Sequence, residues 1–255
     1  MRSMGAVGLS GIVLTYNEEA HLADCLASLT WVDDLLVVDS FSTDRTLVIA
    51  RRFTDRVVQR PFGDYASQRQ AALALARGEW VLFVDADERV PPALAAEIRT
   101  VLSAPGPFVG FWIPRRNIIW GRWIRHGGWF PDYQLRLFRR DRGRYDPTRP
   151  VHEVVLLDGP AGHLQTPLLH YNYATVGEFL AKQRRYTALE VERLRRAGVR
   201  PRARSLVGQP LREFWRRYVR LGGWRDGLHG LLLALFLAYY THCAYRQRWR
   251  EGRAG

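Results

Sequence analysis

The chain has 255 residues, 47% hydrophobic and 25% charged, which suits one globular domain with an appendage and excludes a disordered protein. Lysine plus arginine outnumber aspartate plus glutamate by 38 to 25, for a formal net charge of +13. Lys182 is the only lysine, so arginine carries the charge, and the surface favours anionic partners such as nucleotides, anionic lipid or nucleic acid.

The N-terminal apolar run passes directly into polar "TYNEE" without a cleavage-site pattern, so it predicts a first strand, "LSGIVLTY", and not a signal peptide. "NEEAHLADCLASLTW" follows with Leu22, Cys25, Leu26 and Leu29 at helical spacing. "DDLLVVDS" predicts a second strand, and "STDRTLVIARRF" a helix opened by a capping cluster. "DRVVQRPF" predicts a short third strand. "DYASQRQAALALARG" is an alanine-rich helix with Gly78 as its expected terminator. "EWVLFVDADE" predicts the fourth strand and "PPALAAEIRTVLSAPG" a helix that begins at prolines. Residues 9–104 thus alternate strand and helix, which predicts a parallel sheet covered on both faces, with ligands at the carboxyl ends of its strands. "TYNE", "DSFSTD" and "DADE" all fall at those ends.

Residues 107–172 are rich in Trp, Arg and Gly and predict antiparallel strands and long loops. From Ala174 the pattern is helical, apart from the breaker-rich stretch Ala197 to Pro210. Cys25 and Cys243 lie far apart with no metal-binding spacing, which predicts free thiols and a reducing cytoplasm.

"VLFVDADERV" places Asp85, Asp87 and Glu88 directly after a strand, where buried acids are costly unless neutralised. Along an extended backbone Asp85 and Asp87 point the same way. A hard divalent ion, Mg2+ or Mn2+, suits two such carboxylates and keeps positions open for nucleotide phosphates.

"VLTYNEEAHLADCLASL", "LLVVDSFSTDRTLVIA", "QRQAALALARGEWVLFVDADE" and "GGWFPDYQLRLFRRD" with "VHE" together resemble the inverting family 2 glycosyltransferases of GT-A fold, in particular the lipopolysaccharide core β-glucosyltransferase-like branch. The resemblance implies an α/β fold, a mostly parallel sheet with helices on both faces, followed by C-terminal amphipathic and apolar helices. It implies a catalytic domain over 1–173, with a nucleotide-binding half at 9–104 and an acceptor half at 105–173. A membrane-associating helical region follows at 174–255. Thr15, Tyr16, Asn17 and Glu18 would line the base and ribose, Asp39 would accept the uracil imino proton, and Gln68, Arg69, Asp85 and Ala86 would complete the donor site. Asp87 and Asp85 would hold the metal, with His152 in reach. Phe41 stands where the family usually has glycine, so the turn at residues 40–42 is expected to differ.

Inverting transfer needs one carboxylate to take the acceptor's proton, worth roughly 10²–10⁴-fold. Asp132 stands where the family places that base, and Glu153 is the alternative. Trp129 and Trp120 are candidate sugar platforms, and Arg136 a candidate to orient Asp132 or hold a phosphate. The implied reaction is transfer of a sugar, glucose from a UDP donor, to a lipid-linked glycan such as lipopolysaccharide core. Transfer to a polyprenyl phosphate is the rival within enzymes. A basic nucleic-acid-binding protein is the rival outside them, disfavoured because the acids gather where a phosphate backbone would be repelled.

"PLREFWRRYVRLGG" wound as a helix sets Leu211, Phe214, Trp215, Tyr218, Val219 and Leu221 opposite Arg212, Arg216, Arg217 and Arg220. Such a helix lies in an anionic membrane interface. The apolar run Leu228 to Tyr245 extends roughly 27 Å, short of a full crossing. Peripheral or monotopic attachment to the cytoplasmic face of a bacterial inner membrane is expected.

Overall fold

The computed structural model describes residues 8–146 and 155–254, with side chains to residue 252. In chain order the elements are β1 (Leu9–Thr15), α1 (Leu22–Ala27), β2 (Asp34–Asp39), α2 (Thr46–Ala50), β3 (Val57–Gln59), α3 (Tyr65–Leu75), β4 (Trp80–Asp85), β5 (Glu88–Arg89) and α4 (Pro92–Ser103). There follow β6 (Gly110–Ile119), β7 (Arg122–Trp123), β8 (Asp132–Arg139), β9 (Gly143–Tyr145), β10 (Val155–Leu157), β11 (Ala161–His163) and β12 (Leu168–Tyr173). The chain ends in α5 (Val176–Arg196), α6 (Ser205–Phe214) and α7 (Gly227–Ala254), with a π-helical stretch, Trp215–Arg220, continuing α6. The main sheet among the described residues runs β3-β2-β1-β4-β8-β6-β12-β5. Its first four strands are parallel, and β8 then joins β4 antiparallel. This is the predicted α/β architecture, with the antiparallel character expected of the second half.

The chain forms two compact units. One comprises residues 1–115 and 133–170, the other 116–132 and 171–255. Segment 116–132, which the sequence places with the acceptor half, clusters with the C-terminal helices.

In the first unit the strands are apolar on both faces because both are covered. Val13, Val37, Leu82 and Val84 pack with Leu22, Leu26, Leu94 and Ile98 from α1 and α4. Their strand neighbours Ile12, Leu36, Val38, Val81 and Phe83 pack with Ala66, Ala72 and Leu73 of α3. Burying each large aliphatic side chain contributes about 1.5–3 kcal/mol. Gly78 does not terminate α3, which ends at Leu75. It lies against β1, where a Cβ would sit 2.5 Å from the backbone nitrogen of Ser10. Its N–H donates to Ser10 Oγ at 2.8 Å, so this glycine serves close backbone approach.

The second unit packs Ile119, Ile124, Tyr173, Phe179 and Leu233 into a core of its own. Trp120 makes edge contacts with Phe179 and Phe236 there, which tie its partly buried ring to this core. Helix α6 begins inside the predicted breaker stretch and carries Pro210 in its interior. A proline there removes the hydrogen bond to the carbonyl four residues back. That carbonyl is Leu206's, and His242 Nδ1 of α7 bonds it at 2.8 Å. The helix survives because a tertiary partner replaces the missing backbone donor.

Replacing His242 by Leu orphans that carbonyl and should destabilise this unit by about 1–3 kcal/mol, whereas His242→Asn, which keeps a donor, should recover part of the loss. Chemical denaturation of the two variants checks this, and equal loss in both would refute it.

Candidate functional site

Strands β1, β2 and β4 end at Thr15, Asp39 and Asp85, and the polar segments lie just beyond these ends. The first two are stitched together. Asn17 donates its N–H to Ser42 Oγ and accepts from the Thr43 N–H, each at 2.8 Å. Glu18 N–H reaches Thr46 Oγ1 at 2.8 Å, and Glu19 accepts from the Arg45 N–H at 3.0 Å. Asn17 and Phe41 both adopt left-handed backbone, φ 54° and 61°. Asn tolerates this; for Phe it costs roughly 1–2 kcal/mol. The turn at Phe41 therefore keeps a glycine-like backbone despite its side chain. The phenyl ring is half exposed at the loop tip, as is the Tyr16 ring.

Asp39 is fully buried and already accepts from Ser42 N–H at 2.9 Å, from Ser42 Oγ and from Gln59 Nε2 at 3.2 Å. Its carboxylate thus organises the turn expected to hold the base. Gln68 is buried and donates to Ser40 Oγ at 3.1 Å and to the Arg60 carbonyl at 3.3 Å. It braces the same loop from α3. Thr15 is buried, and its hydroxyl has no hydrogen-bond partner among the described residues.

The end of β4 departs from the extended geometry expected of it. The strand closes at Asp85, Ala86 and Asp87 turn, and the Asp85 N–H donates to Glu88 Oε2 at 2.9 Å. The Asp85 and Asp87 side chains accordingly find different partners. Asp85 accepts from Arg69 Nη2 at 2.9 Å and from both terminal nitrogens of Arg136. Glu88, wholly buried, pairs with Arg136 at 3.0 Å and Arg115 at 3.4 Å. Asp87 lies 3.4 Å from His170 Nε2.

The positive groups beside Asp85 and Glu88 are arginines. Burial opposes the charge of Asp85, but Arg136 and then Arg69 overcome it and hold its carboxyl well below the usual range. Burial likewise opposes Arg136, and Asp85 and Glu88 reverse this, raising it above its ordinary value. Three guanidiniums, of Arg69, Arg115 and Arg136, stand against Asp85 and Glu88 in this cluster. Burial raises the Cys25 thiol far above its ordinary value, so Cys25 is not a nucleophile. Burial also pushes the neighbouring Tyr145 hydroxyl up to about 12.

Among the described residues no group of three or more His, Cys, Asp or Glu side chains forms a cation site. Asp87 and His170 supply two donors side by side. A carboxylate with an imidazole suits a transition ion such as Mn2+ better than magnesium, which takes oxygen ligands. Asp85 is committed to two arginines.

In the second unit Asp132 opens β8, half buried, and accepts from Asn117 Nδ2 at 3.3 Å. The same amide donates to the Trp129 carbonyl at 2.8 Å, and Arg217 lies 5.8 Å over the Trp129 ring. His152 and Glu153 lie outside the described residues. Sequence reasoning missed Glu88 as a site member, although it stands in the quoted acid cluster. It also missed Arg115 and His170, which reach the site only through the pairing of distant strands.

Residues 10–154 match the family described as glycosyl transferase family 2. The chain belongs to this family. The Rhizobium meliloti lipopolysaccharide core biosynthesis glycosyltransferase LpsC is 35% identical over 91% of this chain and 88% of its own length. A Rickettsia felis protein described as an uncharacterized glycosyltransferase is 35% identical over a shorter stretch, 38% of this chain and 34% of its own. Among solved structures, S. aureus TarS in complex with UDP-GlcNAc has a TM-score of 0.52 at 17% identity, over 97% of this chain and 92% of that one. That likeness is one of fold. The family 2 chain is a glycosyltransferase, and its sheet and helices form the GT-A architecture.

Removing Arg136 leaves Asp85 and Glu88 under-neutralised, so Arg136→Gln should cost about 3–5 kcal/mol of stability. The sign with pH follows from Asp85, whose folded value is depressed. Its contribution is present above the unfolded value of about 3.9 and is lost as pH falls through the lower folded value. Arg136→Gln should therefore move acid unfolding to higher pH, and an unchanged acid midpoint by circular dichroism would refute this account.

Proposed function

We propose that this glycosyltransferase moves a sugar from a UDP-sugar to a saccharide acceptor of the lipopolysaccharide core class, with inversion and with help from a divalent ion. One observation carries the donor side: the ends of β1, β2 and β4 bring two interlocked loops and an arginine-rich acid cluster into one unit. The loops suit a base and ribose, with Tyr16, Asn17 and Glu18 on one and the Asp39 turn on the other. The guanidiniums of Arg69, Arg115 and Arg136 at this strand end suit a diphosphate, because a guanidinium fork donates two parallel hydrogen bonds. TarS, which shares the fold, binds UDP-GlcNAc, in keeping with a UDP-sugar donor. The name of LpsC supports the acceptor class, with glucose as the sugar and a lipid-linked glycan as the acceptor in our reading.

Asp87 with His170 would hold Mg2+ or Mn2+, which when bound offsets charge on the leaving diphosphate. Asp132 is our candidate base, with Glu153 as the alternative, and Trp129 a candidate acceptor contact. For domain roles, we assign donor binding to residues 9–104 and acceptor binding to 105–173. Residues 174–255 attach the enzyme to the cytoplasmic face of the inner membrane. That attachment is supported by Val207, Leu211, Trp215 and Val219, a four-residue-spaced apolar row exposed along α6 and its continuation. Gly223–Gly252 is also long and apolar enough to cross a membrane, with only 28% of its apolar window buried.

Asp87→Asn should fold normally and lose metal-dependent UDP binding. Calorimetric titration with manganese and with EDTA checks this, and UDP affinity indifferent to EDTA would remove the metal from the binding step. Asp132→Asn should keep UDP affinity and lose transfer by about 10²–10⁴-fold. Normal turnover in Asp132→Asn with loss in Glu153→Gln would reassign the base.

A further inference from the structure

A cavity of about 330 Å³ in the second unit is lined by Arg122, Trp123, Arg125, His126, Arg225 and Asp226. Its wall comes from β7 and the segment after it, and from the tight turn Gly223–Asp226. Gly222 and Gly227 flank that turn with φ of 68° and 63°, a conformation that favours glycine. The turn delivers Asp226, 3% exposed, to the backbone N–H groups of Arg125 at 3.3 Å and His126 at 2.8 Å. His126 Nδ1 is 3.2 Å from the same carboxylate. The one acid of the cavity is therefore consumed in clasping the two segments together.

The three arginines have no carboxylate partner among the described residues. Two are stacked in place: Arg125 sits 4.1 Å from the centroid of Trp123, and Arg225 sits 5.2 Å from that of Trp224. Stacking holds a guanidinium plane without neutralising it, so less rotamer freedom is lost when an anion arrives. Arg116 lies 4.1 Å from the same Trp123 ring and adds to the positive field. Three exposed guanidiniums lining one cavity offer more parallel donors than one carboxylate can accept, and match the several oxygens of a phosphomonoester. The volume is at the lower end of small-molecule sites, enough for a phosphate and the ring that carries it.

We propose that this cavity binds the phosphomonoester of a phosphorylated saccharide or lipid headgroup, as an anion site separate from the donor cluster at the end of β4. It does not depend on the transfer reaction, so its test reads binding and leaves turnover aside. Full-length protein saturated with UDP, to fill the donor site, is titrated with glucose 6-phosphate by calorimetry. In parallel it is sedimented with phosphatidylcholine vesicles with and without phosphatidic acid. The variants are Arg125→Gln and Arg225→Gln. Arg52→Gln, an exposed arginine outside both the cavity and the basic helix face at 211–221, removes the same charge as a control. Saturable binding weakened about tenfold by each cavity variant and less than about twofold by the control is the expected result. Binding of glucose 6-phosphate identifies a soluble phosphosugar as sufficient, and binding confined to phosphatidic acid vesicles identifies a lipid headgroup; both support the site. Thermal unfolding of each variant confirms that it is folded, and the two cavity variants are independent of each other. No saturable binding of either probe, or equal weakening by Arg52→Gln, overturns the proposal.

Discussion

The fork of Arg136 on Asp85 and Glu88 is the interaction on which the donor end of the molecule depends. The parallel sheet delivers Asp85 to the end of a strand whose preceding four residues are entirely apolar and buried. An unpaired acid there would neutralise itself by taking a proton or unfold its surroundings. Arg136 comes from β8, the strand that joins β4 antiparallel, so the charge balance exists only when the sheet is assembled. Arg69 closes the cluster from α3, and Arg115 from β6. Such a network is weak evidence for stability in itself, because desolvation offsets much of the attraction. Its consequence is orientation: the guanidiniums are held in place next to the loops that would take a nucleotide.

The loops themselves show a second constraint. Ser42 donates to Asp39 and accepts from the Asn17 N–H, and in the turn they close Phe41 adopts a left-handed backbone that it does not favour. The strain is offset by hydrogen bonds across two strand ends, and strain of this kind collects at ligand sites. The exposed rings of Tyr16 and Phe41 thus stand on loops tied together by these hydrogen bonds. The second unit uses a comparable substitution of tertiary for local bonding. Pro210 breaks the helical ladder and His242 repairs it, while Asp226 repairs two backbone donors near Arg125.

Much of this was legible in the chain. The alternation of apolar runs and helical spacing determined the parallel sheet and which face each residue takes, because side-chain period follows directly from backbone geometry. The positions of Thr15, Asp39 and Asp85 at strand ends were set the same way, and so was the grouping of the polar motifs. The chain did not reveal what neutralises the acids. Asp85 and Asp87 read as a shared metal pair because local spacing was extrapolated through a residue that turns out to be a turn. Arg136, Arg115 and His170 meet them through pairings between strands far apart in sequence, and register across such distances leaves no local trace. Proline and glycine in 197–210 read as breakers for the same reason, since the donor that rescues the helix is 32 residues further on from Pro210. Local sequence determined where each side chain can point; only the folded sheet decided which opposite charge stands in front of it.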